Sequence, residues 1–269
     1  MLATLKEVLE KAEQGNYAVG AFNCTSLESG MAIVETAEEL NSPVILQYAD
    51  SHRHLISIDV IGPIMLQLAK IAKVPVVVHL DHGASIESCR HAVDMGFTSV
   101  MYDASAKPFE DNVAETRNVV EYAHERGASV EAELGHILTS KAGAAEGNGK
   151  SYTREEAYTD PEMAKEFIER TNVDALAIGF GTAHGIYTEK PVLDLNRIAL
   201  IKSAKDIPYV MHGGSGLSEE EYRTAIHNGI RKINYYTYLS LAGGRGVMQY
   251  LEDKKDKDCL LYTSPSPRD

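Results

Sequence analysis

The chain has few cysteines and no long apolar run, and each of these absences narrows its class. Only three cysteines occur among 269 residues, at Cys24, Cys89 and Cys259. Their wide spacing argues against both a disulfide framework and a cysteine-based zinc site. No segment approaches the roughly 18 consecutive apolar residues that span a bilayer. The sequence therefore predicts a reduced, cytoplasmic protein with no membrane partner.

Positive charge is also scarce, because 26 lysines and arginines stand against 39 acidic residues, a formal net charge of −13. Proteins that bind nucleic acid need a basic face, and no cluster of lysine and arginine occurs in this sequence. The charge balance thus argues against a nucleic-acid partner. It still permits an anionic substrate, provided that local donors such as backbone N–H groups or a metal ion bind it.

The two ends of the chain differ in character. Charges interrupt every apolar run of the first segment, MLATLKEVLEKAEQGN, which predicts an amphipathic helix and not a signal peptide. The last segment, CLLYTSPSPRD, has no periodicity and resembles the translation of a sequencing adapter; an ordinary disordered Ser/Pro tail is the alternative. We expect a single domain over residues 1–258, incomplete at its C-terminus, followed by a non-native tail at 259–269.

Short β-rich runs alternate with longer helical patterns along the body of the chain. Such alternation predicts βαβ units and a parallel sheet, and about eight strands favour a closed (β/α)8 TIM barrel over an open doubly wound sheet. The expected fold is therefore an α/β TIM barrel, truncated at its C-terminus. The strand candidates are residues 17–22, 43–47, 74–80, 98–103, 128–134, 175–180, 208–213 and 231–236, and helix candidates include 26–40, 85–96, 110–127, 160–171 and 218–229.

Polar residues that could carry chemistry stand where the strand candidates end. In a TIM barrel these C-terminal ends converge on one mouth, which holds the active site. The segment from His136 to Thr159 has no strong period and is interpreted as a lid over this mouth. The residues at the strand ends are Asn23, Asp81, His82, Asp103, Glu133, His184, His212 and Asn234.

Three of these residues are histidines, each beside a glycine that permits close backbone approach. His82 lies in LDHG, His184 in GTAHG and His212 in MHGGSG. Three imidazoles with an open fourth position are the ligand set of a catalytic zinc ion, so we expect Zn²⁺ at this mouth. His79 shares the strand face of Asp81 and is expected to support the site without binding metal. The other histidines are surface candidates, with one near the lid that fits either role: His52, His54, His91, His124, His227 and, near the lid, His136.

A glycine-rich loop, HGGSG at 212–216, opens the helix candidate at 218–229. Its N–H groups therefore lie near a helix N-terminus, which favours anions. TIM barrels frequently bind phosphate with the loops after strands seven and eight, and these are the positions of HGGSG and of residues 234–237. Glycine-rich turns are weak evidence alone, but this position in the chain predicts a phosphate site.

Carboxylates complete the candidate chemistry. Asp81 would lie beside the metal, where it could exchange a proton with a substrate hydroxyl; the alternative is that it accepts a hydrogen bond from a ligand histidine. Glu131 and Glu133 share one strand face, and Glu133, nearer the mouth, could contact a ligand histidine or an alternative metal position. A second acid/base could come from the lid, where the candidates are Glu146, Glu155 and Glu156.

The motifs HLDHG, VEAELG, YTDP, GTAHG, HGGSG and GIRKIN occur in an order that resembles the class II, zinc-dependent ketose-bisphosphate aldolases, over essentially residues 1–258. This resemblance implies a TIM barrel that reversibly cleaves fructose or tagatose 1,6-bisphosphate to dihydroxyacetone phosphate and glyceraldehyde 3-phosphate. It implies Asp81 as the catalytic proton donor, Zn²⁺ as cofactor with Na⁺ or K⁺ as an additional ion, and a homo-oligomer, either dimer or tetramer. The implied metal residues are His82, His184, His212 and Glu133, and the implied substrate contacts are Gly185, Gly213, Gly214, Ser215, Asn234, Tyr235, Tyr236 and Thr237.

The sequence departs from the family's pattern in two places. NYYT at 234–237 has tyrosines where many relatives carry a small residue or an aspartate, so Asn234 and Thr237 are preferred as contacts over Tyr235 and Tyr236. The lid lacks the glycine–glycine–acidic run of many relatives, which leaves its acid/base unassigned.

Other functions fit parts of the pattern. A Schiff-base aldolase needs a desolvated lysine, for which Lys232 is the candidate. An amidohydrolase would need an early H-x-H pair, and the pair available, His52 and His54, does not stand at a strand end. A class II-type aldolase for another phosphorylated ketose also fits. A sugar-phosphate-binding protein without catalysis would not need Asp81 together with the three histidines.

Overall fold

The structure is a computed structural model that describes residues 1–139, 157–187 and 189–253. The expected tail at 259–269 lies outside the described residues, and so does most of the predicted lid at 136–159, namely residues 140–156 with Glu146, Glu155 and Glu156. Within the described ranges, no helix has both the length and the apolar character needed to cross a membrane.

Eight parallel strands close into a barrel, which confirms the predicted TIM-barrel architecture. Each strand pairs with its neighbours in chain order, and the circle closes where the last strand pairs with the first, Asn234 opposite Ala21. All of the predicted strands are present, with ends that differ by a few residues. The barrel strands are β1 Val19–Asn23, β2 Val44–Ala49, β3 Val76–Gly83, β4 Ser99–Tyr102, β5 Ser129–Leu134, β6 Ala175–Ile178, β7 Tyr209–Met211 and β8 Ile230–Asn234.

Helices connect the strands and cover the outside of the barrel. The amphipathic N-terminal helix α1 closes its lower end, where Leu5 and Leu9 pack against the inward side chains of Ile45 and Val77. A short 3₁₀ helix, Asp50–His54, follows β2. The α-helices are α1 Leu5–Gly15, α2 Leu27–Glu39, α3 Ile58–Ile71, α4 Ile86–Met95, α5 Phe109–His124, α6 Pro161–Thr171, α7 Leu195–Ala204, α8 Glu219–Asn228 and α9 Thr237–Asp253.

Capping residues begin the helices where the sequence predicts. Ser85 caps α4 and accepts a hydrogen bond from the backbone N–H of Ser88. Asp160 caps α6 by accepting from the backbone N–H groups of Glu162 and Met163 at 3.0 Å, with a proline at the first helical position. Such caps satisfy backbone donors that a helix end leaves unpaired, so α4 and α6 each begin at a defined residue.

Strand β3 shows how burial positions the site. Val76 and Val78 face the outer helices, while Val77 faces the barrel interior. Because side chains alternate along a strand, His79 and Asp81 share the inward face of Val77, each one layer closer to the mouth. The apolar lower layers therefore fix the height at which the polar side chains emerge.

Candidate functional site

Asp81 and His82 are adjacent in sequence, yet the side chains of both reach the mouth of the barrel. Neighbouring side chains of a regular strand point to opposite faces. His82 departs from this rule because its backbone is left-handed, with a φ of 46°, and the pairing of β3 with β4 shifts register between Leu80 and Gly83. A non-glycine residue in this conformation is strained, and here the strain directs an imidazole towards the site.

The three histidines predicted as metal ligands converge at this point. One ligand atom each from His82, His184 and His212 lies within 4.8 Å of the other two. His82 Nε2 is 2.9 Å from His212 Nδ1. A zinc ion held at about 2.0–2.1 Å by three imidazoles separates their nitrogen atoms by roughly 3.3 Å. The cluster therefore has the dimensions of a three-histidine metal site.

In two of these rings, the nitrogen that points away from the cluster forms a hydrogen bond with a carboxylate. His82 Nδ1–H donates to Asp103 at 2.8 Å, and His212 Nε2–H donates to Glu131 at 2.9 Å. Each bond fixes the tautomer that directs the other nitrogen to the cluster, the usual arrangement around a ligand histidine. Burial lowers the pKa of His184 and the pKa of His212, so both are neutral imidazoles, the form that binds metal.

Two buried atoms of the cluster have no hydrogen-bond partner among the described residues, His184 Nδ1 and Glu133 Oε2. Glu133 Oε2 lies 4.0 Å from His212 Nδ1, and Glu133 also forms a second group with His82 and Asp103. Burial, with Asp103 nearby, raises the pKa of Glu133 to about 8. A cation would satisfy both orphaned atoms and keep this carboxyl group ionised. Three imidazoles with an adjacent carboxylate fit Zn²⁺.

Asp81 is 1% exposed and is surrounded by side-chain amides. Asn23 and Gln47 donate to its Oδ2 at 3.3 and 3.1 Å, and Asn234 donates to its Oδ1 at 3.0 Å. Burial by itself would raise the pKa of Asp81, but positive charge on His82 and other neighbours outweighs it and holds the pKa below its usual value. Asp81 is therefore an ionised acceptor beside the metal cluster.

A cavity of about 30 Å³ adjoins Asp81 and His184. Tyr187 connects the two glycine loops around it, because its hydroxyl accepts from the backbone N–H of Ala183 and donates to the carbonyl of Gly213, both at 2.8 Å. Burial raises the pKa of Tyr187 to about 12, so the hydroxyl stays protonated. The residues that line the cavity are Asn23, Gln47, Asp81, His184, Gly185, Gly213, Gly214, Ser215, Asn234, Tyr236 and Thr237.

Gly213→Ala is expected to lower the free energy of unfolding by more than the cost of a left-handed backbone at a non-glycine residue. The φ of Gly213 is 65°, and an added Cβ would lie 2.4 Å from the carbonyl oxygen of Ala183. The backbone conformation costs about 1–2 kcal/mol for a non-glycine residue, and the clash adds to this cost. Denaturant unfolding measures the loss.

Gly127→Ala is the matched control for this prediction. The φ of Gly127 is 74°, and in the described part of the chain an added Cβ would meet no atom within 4 Å. We expect this variant to lose only the backbone contribution. Equal losses of unfolding free energy at Gly127 and Gly213 would contradict a steric role for the approach to Ala183.

The structure brings most of the residues predicted from the sequence to one mouth. The histidine cluster, Asp81, Glu133 and the loop residues Gly185, Gly213–Ser215, Asn234, Tyr236 and Thr237 lie there. Tyr235 is placed differently, because its ring packs against Phe22 and Tyr238 with centroid distances of 6.1 and 6.5 Å, outside the cavity lining.

His52 was expected at the surface, and that expectation is wrong. The residue is 2% exposed, and its ring centroid lies 4.7 Å from that of Tyr236. The 3₁₀ helix Asp50–His54 follows β2 directly and brings His52 against the residues after β8. The alternating pattern of a strand gives no information about such a turn. The prediction that His52 is exposed therefore depends only on its position in a loop.

Several polar residues of the site had no assigned role in the sequence. The position of Asp103 at a strand end indicates a place at the mouth. Its hydrogen bond to His82 depends on the pairing of β3 with β4, which the sequence does not reveal. Gln47 carries a sequence signal, because it is an amide near the end of a fully buried strand. No sequence signal identifies Tyr187 as the link between two loops. Because Asp103 orients His82, Asp81 is not required for that task.

Comparison with known proteins shows which family and which solved structures the chain resembles. The sequence model of the family described as fructose-bisphosphate aldolase class-II matches residues 3–266. A fructose-bisphosphate aldolase of Staphylococcus aureus is 40% identical over 98% of this chain and 92% of its own length. The crystal structure of the YdjI aldolase from Escherichia coli K12 is similar with a TM-score of 0.82, 36% identity, and coverage of 96% of this chain and 89% of that one. A fructose-bisphosphate aldolase structure from Campylobacter jejuni, at 24% identity and a TM-score of 0.75, covers 94% of this chain and 82% of its own, and supports the fold alone.

Proposed function

Because the chain belongs to the class II fructose-bisphosphate aldolase family and is thus an aldolase, a carbon–carbon lyase of ketose bisphosphates, we propose a zinc-dependent reaction for it. The substrate is fructose or tagatose 1,6-bisphosphate, which is cleaved reversibly to dihydroxyacetone phosphate and glyceraldehyde 3-phosphate. The observation that carries the proposal is the convergence of His82, His184 and His212 within 4.8 Å, at a cavity that Asp81 and His184 line together.

The metal residues proposed are these three histidines, with Glu133 as an adjacent carboxylate. When bound, Zn²⁺ supplies a Lewis acid that polarises the substrate carbonyl and stabilises the negative charge left on the ketone half after cleavage. An imidazole is neutral in the form that binds metal, so histidine ligands do not reduce the positive charge of the ion, which favours that role. Na⁺ or K⁺ as an additional ion stays a prediction.

Asp81 is proposed as the base that takes the proton of the C4 hydroxyl during cleavage and returns it during condensation. Three amides from Asn23, Gln47 and Asn234 hold its carboxylate in place. Its pKa lies below the usual value, so the group is ionised at neutral pH and ready to accept. Proton transfer by a group held in this way contributes typically about 10²–10⁴-fold to a rate.

The loop Gly213–Ser215 and the first residue of α9, Thr237, are proposed to bind one phosphate. They line the cavity beside Asp81 and include the start of a helix, where backbone N–H groups face an anion. A phosphate fixed there would set the distance between the reacting carbon and Asp81. A lid glutamate is proposed to exchange the proton on the reacting carbon of dihydroxyacetone phosphate. The candidates are Glu146, Glu155 and Glu156.

Removal of metal tests the proposal against the lysine alternative. We expect EDTA to abolish cleavage of fructose 1,6-bisphosphate and zinc to restore it, while borohydride in the presence of dihydroxyacetone phosphate traps no covalent adduct. Lys232 is 0% exposed and lies 2.9 Å from Glu131 in an ion pair, so its nitrogen is already engaged with another side chain inside the barrel. Activity that survives EDTA together with borohydride capture would instead establish the Schiff-base route.

Substrate configuration and assembly are separate parts of the proposal. The kcat/KM values for fructose and tagatose 1,6-bisphosphate, measured side by side, decide which C4 configuration the site prefers. Sedimentation of the same preparation tests the expected dimer or tetramer. The expected cytoplasmic location stays a prediction of the sequence.

A further inference from the structure

A buried ion pair lies below the metal cluster, inside the barrel. Lys232 Nζ is 2.9 Å from Glu131 Oε2, and both side chains are 0% exposed. The same ammonium group donates to Asn234 Oδ1 at 2.7 Å. Removing charges from water is costly, and a buried pair is weak evidence for a contribution to stability. This pair therefore calls for an explanation other than the stability of the barrel.

One end of the pair leads to the metal cluster. Glu131 uses its other oxygen, Oε1, to accept the Nε2–H of His212 at 2.9 Å. Asn234 Nδ2 also approaches this nitrogen, at 3.3 Å, but the shorter contact to an ionised carboxylate is the stronger one. The proton of His212 therefore resides on Nε2, which leaves Nδ1 directed at His82 and the metal position.

The other end of the pair leads to Asp81. An ammonium group can only donate hydrogen bonds, so Lys232 fixes the carbonyl oxygen of the Asn234 amide on its own side. The amide nitrogen must then face away from Lys232, and it donates to Asp81 Oδ1 at 3.0 Å. Lys232 thus lies in the middle of one continuous chain of contacts from His212 through Glu131 and Asn234 to Asp81.

We propose that Lys232 and Glu131 are positioning residues that set the His212 tautomer for metal binding and orient the Asn234 amide towards Asp81. The inference rests on the proposed function for its second half, because only turnover reports on Asp81. Its first half concerns metal affinity and is independent of the reaction. His79 borders the same pair, with its Nε2 3.6 Å from Glu131 Oε2 and its Nδ1 2.8 Å from Ser99.

Glu131→Gln tests the metal half. Lys232 should draw the oxygen of the new carboxamide towards itself, which turns the NH₂ group to His212 Nε2. That nitrogen must then accept, so the proton moves to Nδ1, the nitrogen needed for metal. We expect zinc affinity to fall by about 10–100-fold, as for loss of other groups that orient ligands. Competition with a chromophoric chelator on the metal-free protein measures it.

Addition of Lys232→Met to this variant gives the decisive comparison. Without the ammonium group, the carboxamide of residue 131 can present its oxygen to His212, and the original tautomer returns. We therefore expect the double variant to bind zinc at least about tenfold more tightly than Glu131→Gln alone, within the range that such orienting groups control. Lys232→Met alone leaves a buried carboxylate without its partner, which is strongly destabilising, so the double variant is the informative one.

Turnover separates the two halves. In the double variant Lys232 no longer holds the Asn234 amide, so Asp81 loses an orienting contact even though metal binding is restored. We expect its kcat at saturating zinc to be about tenfold below that of wild type, with KM little changed. Lys202→Met is the matched control, since Lys202 forms its ion pair with Glu13 at 2.7 Å at the other end of the barrel. That variant should lose stability without a change in zinc affinity.

Two outcomes overturn the inference. One is wild-type zinc affinity in Glu131→Gln. The other is a double variant that binds zinc no more tightly than Glu131→Gln, because simple loss of packing would accumulate and not reverse. If wild type fails to cleave either ketose bisphosphate, the proposed function fails, while the zinc measurements still decide the role of Glu131 and Lys232 in metal binding.

Discussion

Asp81→Ala is expected to lower the turnover of fructose 1,6-bisphosphate by about 10²–10⁴-fold, the contribution typical of a positioned general acid or base. The side chain is buried and held by three amides, and among the described residues it is the carboxylate that lines the cavity beside His184. Zinc content should not change, because the histidines and their partners Asp103 and Glu131 are untouched.

A partial reaction distinguishes loss of Asp81 from general damage to the site. Dihydroxyacetone phosphate has no C4 hydroxyl, so exchange of its carbon-bound hydrogen with D₂O does not require Asp81. We expect this exchange to persist in Asp81→Ala while cleavage is lost. Asp174→Ala, which removes a buried carboxylate bonded to His124 and to the backbone N–H of Val130, is the control at the opposite end of the barrel. Near-wild-type cleavage by Asp81→Ala would exclude the proposed role.

His212→Ala is expected to abolish zinc binding and, with it, activity. The residue supplies one nitrogen of the cluster and is the one whose far nitrogen is anchored inside the barrel by Glu131. Loss of a ligand should exceed the roughly 10–100-fold that loss of an outer partner costs in metal affinity. Metal analysis after dialysis measures it directly.

His124→Ala is the matched control for the ligand prediction. His124 also pairs with a carboxylate, Asp174, at 2.8 Å, but it lies far from the mouth near the start of β5 and β6. This variant should retain one equivalent of zinc. Unchanged zinc content in His212→Ala after dialysis would remove His212 from the ligand set.

Most of the fold could be predicted because it depends on local patterns. Each barrel strand is a short apolar run that ends in a polar or glycine-rich turn, and the parity of Val77, His79 and Asp81 follows from strand geometry alone. The position of His82, His184 and His212 at strand ends also follows, since parallel strands of a barrel end at a common mouth.

Contacts across the barrel could not be predicted in the same way. The bond between His212 and Glu131 and the ion pair between Glu131 and Lys232 join strands β5, β7 and β8, and each depends on the relative height of side chains on different strands. A single sequence gives parity along a strand but not the register between strands. For that reason the sequence indicates Lys232 only as a candidate nucleophile and not as a partner of Glu131.

The left-handed backbone of His82 is a second feature that the residue pattern of the sequence does not reveal. Strict alternation would direct His82 outward, away from Asp81. A φ of 46° brings both residues to the mouth, so the motif LDHG functions because it departs from regular strand geometry at its third residue. Such local strain commonly marks functional sites, and it is visible only in the structure.

Titration of the metal-free protein with zinc, while cleavage of fructose 1,6-bisphosphate is followed, tests the central claim most directly. With His82, His184 and His212 as one metal site beside Asp81, we expect no turnover without metal and a linear rise that ends at one zinc ion per chain. Full turnover by the metal-free protein, or no gain on addition of zinc, would contradict a zinc-dependent aldolase.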